Sequence, residues 1–169
     1  MRYPFIPIAT MALALLLVVN SALAQNATRI GETGFPIPRM VSLASNEINV
    51  RTGPGLEYPI KWVFGRKGYP VKIVDEFDVW RKIEDHEGEQ GWVHSRLLTS
   101  QRMVFFKDQI EALRRTPELD SRIVVRAEPG VVGELLYCRE TWCLTEIEGT
   151  LGWIQGDRIW GVLPHELAN

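Results

Sequence analysis

The sequence predicts an all-β protein made of two small domains in tandem, and three observations support this fold class. First, short apolar runs alternate with clusters of Gly, Pro and Asp, which is typical of short strands joined by tight turns. Second, the motif Asn-Val-Arg-Thr-Gly-Pro-Gly at residues 49–55 is typical of a short strand that ends in a turn. Gly-Trp-Val at residues 91–93 is expected to form the strand that closes the same small sheet. Third, the same pattern recurs more faintly at a spacing near 62 residues.

Length and composition agree with this fold class. The 169 residues are 46% hydrophobic and 24% charged, as in a foldable globular chain, and they suffice for one ordinary domain or two small ones. Six Trp and ten Pro favour compact β modules with aromatic cores over a helical bundle. No segment approaches the roughly 20 apolar residues that a membrane-spanning helix needs.

Residues 1–24 have the features of a signal peptide. Arg2 provides a positive start, residues 8–19 are apolar apart from one threonine, and a small-x-small triplet ends at Ala24. We expect cleavage between Ala24 and Gln25, and therefore an exported, periplasmic protein without a membrane span. The alternative, an uncleaved anchor helix, needs a longer apolar run.

The charge pattern argues against nucleic-acid binding. Residues 1–24 contain one basic and no acidic residue, so the mature chain has 18 basic and 21 acidic residues. Charges of both signs are interspersed, whereas a nucleic-acid-binding surface needs a basic stripe. We interpret the Lys and Arg residues as a solvated surface.

The first module is expected at residues 40–99, after an extended, polar lead-in at residues 25–39. Within it, apolar residues alternate at period two, as in half-buried strands. Residues 80–84 and 90–93 then form a hairpin over an acidic turn. The alternating apolar positions are Val41 and Leu43, Ile48 and Val50, Ile60, Trp62 and Phe64, and Val71 and Ile73.

The second module is expected at residues 102–162, followed by a tail at 163–169. The spacing near 62 pairs Ile73 with Leu135 and Trp80 with Trp142, and slips of one residue fall in turns, where insertions are tolerated. Residues 107–115 have reasonable helical propensity, which leaves a helix as the alternative there. The repeat register favours a strand.

Two cysteines are expected to form a disulfide in the second module. A module of this size buries only about 60% of its unfolded surface, so a covalent link would help it. Cys138 and Cys143 flank four residues, which suits the two arms of a hairpin, and export favours oxidation. A zinc site would lack ligands, and the spacing is not that of a Cys-x-x-Cys redox centre.

These residues resemble the bacterial SH3-like domain family. The resemblance rests on the motif at residues 49–55, Trp80, Gly-Trp-Val at 91–93 and the Leu-Leu pair at 97–98. It implies two tandem SH3-like β-barrels, each strongly bent with five or six strands, in a cell-envelope setting where such domains often bind peptidoglycan or its stem peptides, or support an attached hydrolase. The second module departs from the family pattern at residues 113–117, where the turn glycine is missing.

The sequence offers little for catalysis. Both cysteines are expected to be oxidised, and His86, His94 and His165 stand in a turn, after a strand and in the tail. Motifs of serine hydrolases, zinc proteases and phosphate-binding loops do not occur. The carboxylate pairs Glu84/Asp85 and Glu87/Glu89 are expected to be solvated. We therefore expect a protein without catalytic residues, metal or cofactor.

The repeat separates aromatic residues that the fold needs from those that are free to bind. Tryptophans present in both copies, Trp80 with Trp142 and Trp92 with Trp153, are expected in the cores. Aromatic residues of the first module alone escape that requirement. They are Tyr58, Trp62 and Tyr69, which align with Asp120, Val124 and Val131.

Tyr58, next to Glu57 in the long first loop, is the leading candidate for a ligand groove. An exposed ring can stack on a sugar or peptide face, and the carboxylate can hold an ammonium group. The alternative is an ordinary loop tyrosine packed against Pro59. Trp62 keeps an apolar counterpart, so a core position stays open for it, and Tyr69 completes the candidate ligand-binding set.

Two functions follow from these expectations. The first is a non-enzymatic, exported binding protein of the cell envelope that recognises peptidoglycan or its peptides through the first barrel. The second is a periplasmic adaptor or scaffold that contacts another envelope protein through barrel edges or through the junction between the modules.

Overall fold

The computed structural model describes residues 28–167, which form an all-β structure of three sheets joined by turns and short 3-10 segments. The expected signal peptide, with Ala24 and Gln25, lies outside the described residues. Within residues 28–167, no helix is long and apolar enough to cross a membrane.

The lead-in forms a hairpin that packs on the first module. Its two strands, β1 (Arg29–Ile30) and β2 (Pro36–Ile37), pair antiparallel. The tip is held by the main sheet, because the backbone N–H of Asp78 donates to Glu32 Oε2 at 3.0 Å. The lead-in is therefore a folded cover on the first module and not a simple extended approach.

The first large sheet has seven antiparallel strands in the order β5-β4-β8-β7-β6-β3-β9. The strands that the period-two pattern predicts are all present, and the last strand is a short addition after a 3-10 turn. The strands are β3 (Arg39–Leu43), β4 (Ile48–Arg51), β5 (Ile60–Phe64), β6 (Pro70–Phe77), β7 (Trp80–Glu84), β8 (Gln90–His94) and β9 (Leu98–Thr99).

The second large sheet has six antiparallel strands in the order β10-β13-β14-β15-β11-β12. Strand β11 occupies the segment for which a helix was the alternative, so the strand predicted from the repeat register is confirmed. The strands are β10 (Met103–Phe105), β11 (Glu111–Arg114), β12 (Ile123–Ala127), β13 (Val132–Arg139), β14 (Trp142–Ile147) and β15 (Thr150–Gln155).

The two sheets are copies of one plan. Read from the opposite end, the second sheet follows the order of the first, with β10 in the place of β3 and a Phe105–Trp160 bridge in the place of β9. In each copy the second and sixth strands of the module pair at one residue, Arg51 with Trp92 in β4 and β8, and Arg114 with Trp153 in β11 and β15. The all-β tandem fold that the sequence predicts is thus confirmed.

A glycine permits this close approach of two strands in both copies. A Cβ atom on Gly91 would lie 2.4 Å from Val50 Cγ1, and one on Gly152 would lie 2.6 Å from Leu113 Cβ. Heavy atoms do not approach so closely, so any side chain at these positions would push the two strands apart. This contact explains why the Gly-Trp motif recurs.

Each module encloses its own apolar core. In β4 the buried positions alternate with half-buried ones, as period-two packing requires. The first core contains Leu43, Ile48, Val50, Tyr69, Val71, Ile73, Ile83 and Val93, and the second contains Val104, Phe106, Leu113, Ala127, Leu135, Cys143, Ile147, Ile154 and Ile159.

The expectation that four tryptophans form the cores is wrong for three of them. Trp80 is buried, whereas Trp92, Trp142 and Trp153 are half-buried. In β8 and β15 the glycine and the following aliphatic residue face the core, so the tryptophan between them points to the opposite side of the strand. There, Trp153 packs edge-on against Tyr137 with ring centroids 5.6 Å apart.

Cys138 and Cys143 form the expected disulfide. The two residues are direct partners across the β13–β14 hairpin, with an S–S distance of 2.02 Å. On the chain-entropy estimate, closing so short a loop stabilises the module by about 2 kcal/mol.

Candidate functional site

The long first loop, residues 52–59, is held in one shape by the end of β4. Arg51 donates from Nη1 to the carbonyl oxygens of Leu56 at 3.2 Å and Tyr58 at 2.7 Å. The N–H of Thr52 donates to Pro59 O at 3.0 Å, which closes the base of the loop. Side chains on this loop are therefore presented by an ordered backbone.

The ring of Tyr58 lies directly on Gly53. A Cβ atom at Gly53 would be 2.3 Å from Tyr58 Cδ1, so the tyrosine can occupy this place only because residue 53 is a glycine. The side chain stays 40% exposed. One part of the ring is thus fixed against the backbone while the rest faces solvent, which is the geometry of a stacking surface.

Polar and apolar groups flank Tyr58 on the same loop and at the start of β5. Glu57 is exposed, and its carboxylate lies over Gly55, where a Cβ atom would be 2.3 Å from Glu57 Oε2. Leu56 is 74% exposed and Ile60 is 48% exposed. We call Leu56, Glu57, Tyr58 and Ile60 the loop surface. It offers apolar contact, an aromatic ring and one carboxylate.

Trp62 makes the core contacts that the sequence left open for it. It is half-buried against the first core, and its ring meets Phe64 edge-on with centroids 5.9 Å apart. Its Cη2 atom lies 3.3 Å from the position that a Cβ on Gly91 would take, so the indole lies against Gly91 of β8. The ammonium of Lys61 lies 4.9 Å from its ring centroid, at the solvent side.

The structure corrects the assignment of Tyr69 as a ligand-binding residue. Its side chain is only 8% exposed, and its ring stacks on Phe64 and touches Phe105 of the second module with centroids 5.1 Å apart. Its hydroxyl is hydrogen-bonded to His86 Nδ1. Burial, reinforced by the charge of Asp85, raises the pKa of Tyr69 to about 12. Tyr69 therefore belongs to the contact between the modules and leaves Glu57, Tyr58 and Trp62 as candidates.

Trp160 is a residue that sequence reasoning missed. Its indole Nε1 donates to Pro70 O of the first module at 3.3 Å, and Lys72 Nζ lies 5.4 Å from its ring centroid. It borders a cleft of about 420 Å³ between the modules, together with Lys72, Met40 and His165. The sequence did contain a signal for Trp160. The equivalent position in the first module is Leu98, so Trp160 is aromatic in one copy alone, like the candidate binding residues.

Two of the three histidines and both cysteines have structural partners. His86 contacts Tyr69, and His94 accepts a hydrogen bond from the N–H of Arg96 at 3.2 Å, where it caps a 3-10 turn. Both cysteines are in the disulfide. Across residues 28–167, no cluster of three or more His, Cys, Asp or Glu side chains could hold a metal ion.

Two acids of the 84–89 turn are not the solvated surface charges that we expected. Asp85 is 7% exposed, and its Oδ1 accepts from the N–H groups of Glu87 at 3.0 Å and Glu89 at 2.9 Å. Glu84 is paired with Lys72 at 2.5 Å. The Asp85 carboxylate thus organises the hairpin turn, and Glu84 is neutralised by a neighbouring strand, whereas Glu87 and Glu89 are exposed.

Both modules match the family model described as bacterial SH3 domain, over residues 44–99 and 107–161. Among curated proteins, the chain is 27% identical over 128 residues to "Putative N-acetylmuramoyl-L-alanine amidase YrvJ" of Bacillus subtilis (strain 168). That match covers 69% of this chain and 24% of the relative, so the chain spans about a quarter of the relative's length.

Two solved structures from Trichomonas vaginalis also match. NlpC2 is 13% identical with a TM-score of 0.35, and the match covers 72% of this chain and 47% of that one. NlpC1 is 14% identical with a TM-score of 0.35, over 73% of this chain and 45% of that one.

Proposed function

Because the chain belongs to the bacterial SH3 domain family, we propose that it is a non-enzymatic binding protein of the cell envelope that recognises peptidoglycan or its peptides. The proposal treats residues 40–99 and 102–162 as the two modules, with a tail at 163–169, and places the ligand on the first. The observation that carries it is the loop surface, where Tyr58 is fixed on Gly53 and remains exposed beside Glu57.

Three further points support this proposal. The B. subtilis relative carries the name of an N-acetylmuramoyl-L-alanine amidase, and this chain matches a quarter of it. The features of residues 1–24 favour export to the periplasm, where cell-wall ligands are present. The chemistry of the loop surface suits such ligands, since an aromatic ring stacks on sugar or peptide faces and a carboxylate pairs with an ammonium group.

The test is co-sedimentation of the purified protein with peptidoglycan sacculi. We expect saturable binding that weakens about tenfold in Tyr58→Ala, because the stacking contact is lost. Tyr137→Ala is the matched control, since Tyr137 is a 52% exposed tyrosine of the second module. Equal binding by Tyr58→Ala and the wild type would remove the proposed site. An absence of binding at physiological salt would reject recognition of the wall.

One observation favours the second candidate, an adaptor for another envelope protein. Strand β5 is the outer strand of its sheet, and it exposes Ile60 and Val63 at 48% and 50%. An open, partly apolar edge can accept a strand of a partner protein. This function predicts that the protein co-purifies with a stoichiometric protein partner, that Val63→Lys prevents this, and that sacculi do not bind.

A further inference from the structure

Three strands of the second module carry a row of apolar side chains on the face that points away from the core. On β14 buried positions alternate with half-buried ones, so Leu144 lies on the side opposite to the buried Cys143. Its direct cross-strand partners are Tyr137 of β13 and Trp153 of β15, and such partners point to the same face of a sheet. We call Tyr137, Leu144 and Trp153 the outer row.

The outer row is an aromatic surface that is open to solvent. Strands β13 and β15 lie about 10 Å apart, on the two sides of β14. The ring centroids of Tyr137 and Trp153 are only 5.6 Å apart, so the two rings lean towards each other over Leu144. Tyr137 stays 52% exposed, and Leu151, two residues before Trp153 on β15, is 49% exposed. Tyrosine and tryptophan are side chains that protein interfaces favour.

The first module has charged side chains at the places of two of these residues. There, Asp75 pairs with Lys82, and Lys82 pairs with Trp92. Asp75 and Lys82 therefore stand where the second module has Tyr137 and Leu144, and only the tryptophan is common to both. Since the same sheet is built with Asp and Lys, the fold does not require the apolar pair. Exposed apolar side chains that the fold does not require indicate an interface.

Charged side chains stand on both sides of the outer row, and their sign differs. On one side, Glu134 of β13 pairs with Glu146 of β14. On the other side, Arg139 of β13 pairs with Trp142 of β14. Within residues 28–167, none of these three charged side chains forms an ion pair. Glu146 and Trp142 are each two residues from Leu144, so the acids and the base lie at equal distances from the row, roughly 7 Å.

Other charged residues surround this face at its rim, with both signs at either end. Beyond the two glutamates, the rim has an acid in the β14–β15 turn and two bases of the first module, of which Arg66 donates to Gly130 O ahead of β13. Beyond Arg139, it has two arginines and three acids. These residues are Glu148, Arg66 and Lys67 at the first end, and Arg114, Arg158, Glu111, Glu140 and Asp157 at the second. Because each rim is mixed, the pattern that a facing partner meets is set by the two glutamates and Arg139.

A second copy of the same face fits this pattern. When the copy is rotated by a half turn about the direction of the outer row, the two rows stack on each other and the strand direction is reversed. Glu134 of each copy then meets Arg139 of the other, and the exposed rings cover each other. Such a contact uses the same patch on both copies, so it closes at two and does not extend into a filament.

We propose that two copies of this chain associate through the outer row of the second module, with Glu134 of each copy against Arg139 of the other. The face is smaller than the 20 to 30 residues a side of a standard interface, so we expect a weak dimer with a Kd of roughly 10 to 100 µM. The outer row shares no residue with the loop surface, so either proposal can fail alone. Sacculi binding is assayed at about 1 µM, where this dimer is mostly dissociated, and Tyr137→Ala stays a valid control there.

The test is sedimentation equilibrium of the purified protein from about 1 to 300 µM, a range that spans the expected Kd. We expect a reversible monomer–dimer equilibrium. Tyr137→Asp/Leu144→Lys should be monomeric over this range, because it places the charged pair of the first module in the outer row without changing the net charge. Val79→Ser is the matched control, since Val79 is a 41% exposed apolar residue in the β6–β7 turn of the first module. It should dimerise like the wild type.

Charge variants test how the two copies are oriented. Glu134→Arg or Arg139→Glu alone places like charges together at both contacts and should weaken the dimer about tenfold. An equimolar mixture of these two variants should restore the wild-type affinity, because each contact then joins an arginine to a glutamate. Dispersed NMR spectra show that each variant is folded. A wild type that stays monomeric at about 300 µM, a dimer unchanged by Tyr137→Asp/Leu144→Lys, or a mixture that associates no more tightly than its components would overturn the proposal.

Discussion

Substitution of Gly53 by alanine is the sharpest test of how the loop surface is built. A Cβ atom at this position would lie 2.3 Å from Tyr58 Cδ1 and 2.5 Å from Cε1, whereas non-bonded carbons prefer about 3.5 to 4.0 Å. The ring must move by more than about 1 Å to relieve this contact. Since Tyr58 O is also held by Arg51 at 2.7 Å, the movement distorts the loop as well.

Gly53→Ala should lower the free energy of unfolding by about 1 to 3 kcal/mol, the usual cost of overpacking. It should also weaken binding to sacculi as much as Tyr58→Ala does, because the ring leaves its place. Gly65→Ala is the matched control: a Cβ there meets nothing within 4 Å, so the change should be neutral or stabilise by up to about 1 kcal/mol.

The double variant Gly53→Ala/Tyr58→Ala decides whether the clash is the cause. The three atoms nearest to a Cβ at position 53 all belong to the Tyr58 ring, so the two changes should be non-additive by at least about 1 kcal/mol in urea unfolding. Equal stability of Gly53→Ala and Gly65→Ala, or strict additivity in the double variant, would refute the packing of Tyr58 on Gly53.

Three further predictions concern stability. The pKa of Glu76 is lowered from 4.5 to about 2 in the folded protein, so its contribution is complete above pH 4.5 and is lost as the pH falls towards 2; urea unfolding of Glu76→Gln should lack this part of the pH dependence. Reduction of Cys138–Cys143 should cost about 2 kcal/mol in thermal unfolding, and a loss below about 0.5 kcal/mol would contradict the loop-closure estimate. Tyr69→Phe should cost about 1 kcal/mol in urea unfolding, because it leaves His86 Nδ1 without its partner, and ultraviolet titration should show one wild-type tyrosine ionising only near pH 12.

The strands were predictable because each requirement for them is local. Alternation at Ile48 and Val50 or at Val71 and Ile73 marks one face of a strand, and turn residues mark the ends. The repeat register then favoured a strand within residues 107–115, where reasonable helical propensity had left a helix as the alternative. Recurrence at a fixed spacing was thus stronger information than the composition of a single segment.

The positions of Trp92 and Tyr69 were not predictable in the same way. Recurrence shows that the fold uses a tryptophan after the glycine, but it does not show which face of the strand carries it. Tyr69 is buried partly by Phe105, a residue of the other module, and contacts between modules leave no local pattern in the sequence. Asp85 was misjudged for a related reason, since an acid that caps a turn looks like a surface charge until its hydrogen bonds are known.

Comparison of equivalent positions explains where the two copies have diverged. At the edge of the module, the first copy has Leu98 paired with Leu43, whereas the second has Trp160 paired with Phe105. Both aromatic residues of the second copy reach the first module, Trp160 through Pro70 O and Phe105 through the ring of Tyr69. Leu43 and Leu98 complete the sheet of the first module. The equivalent Phe105 and Trp160 of the second module also contact the first module and so join the two.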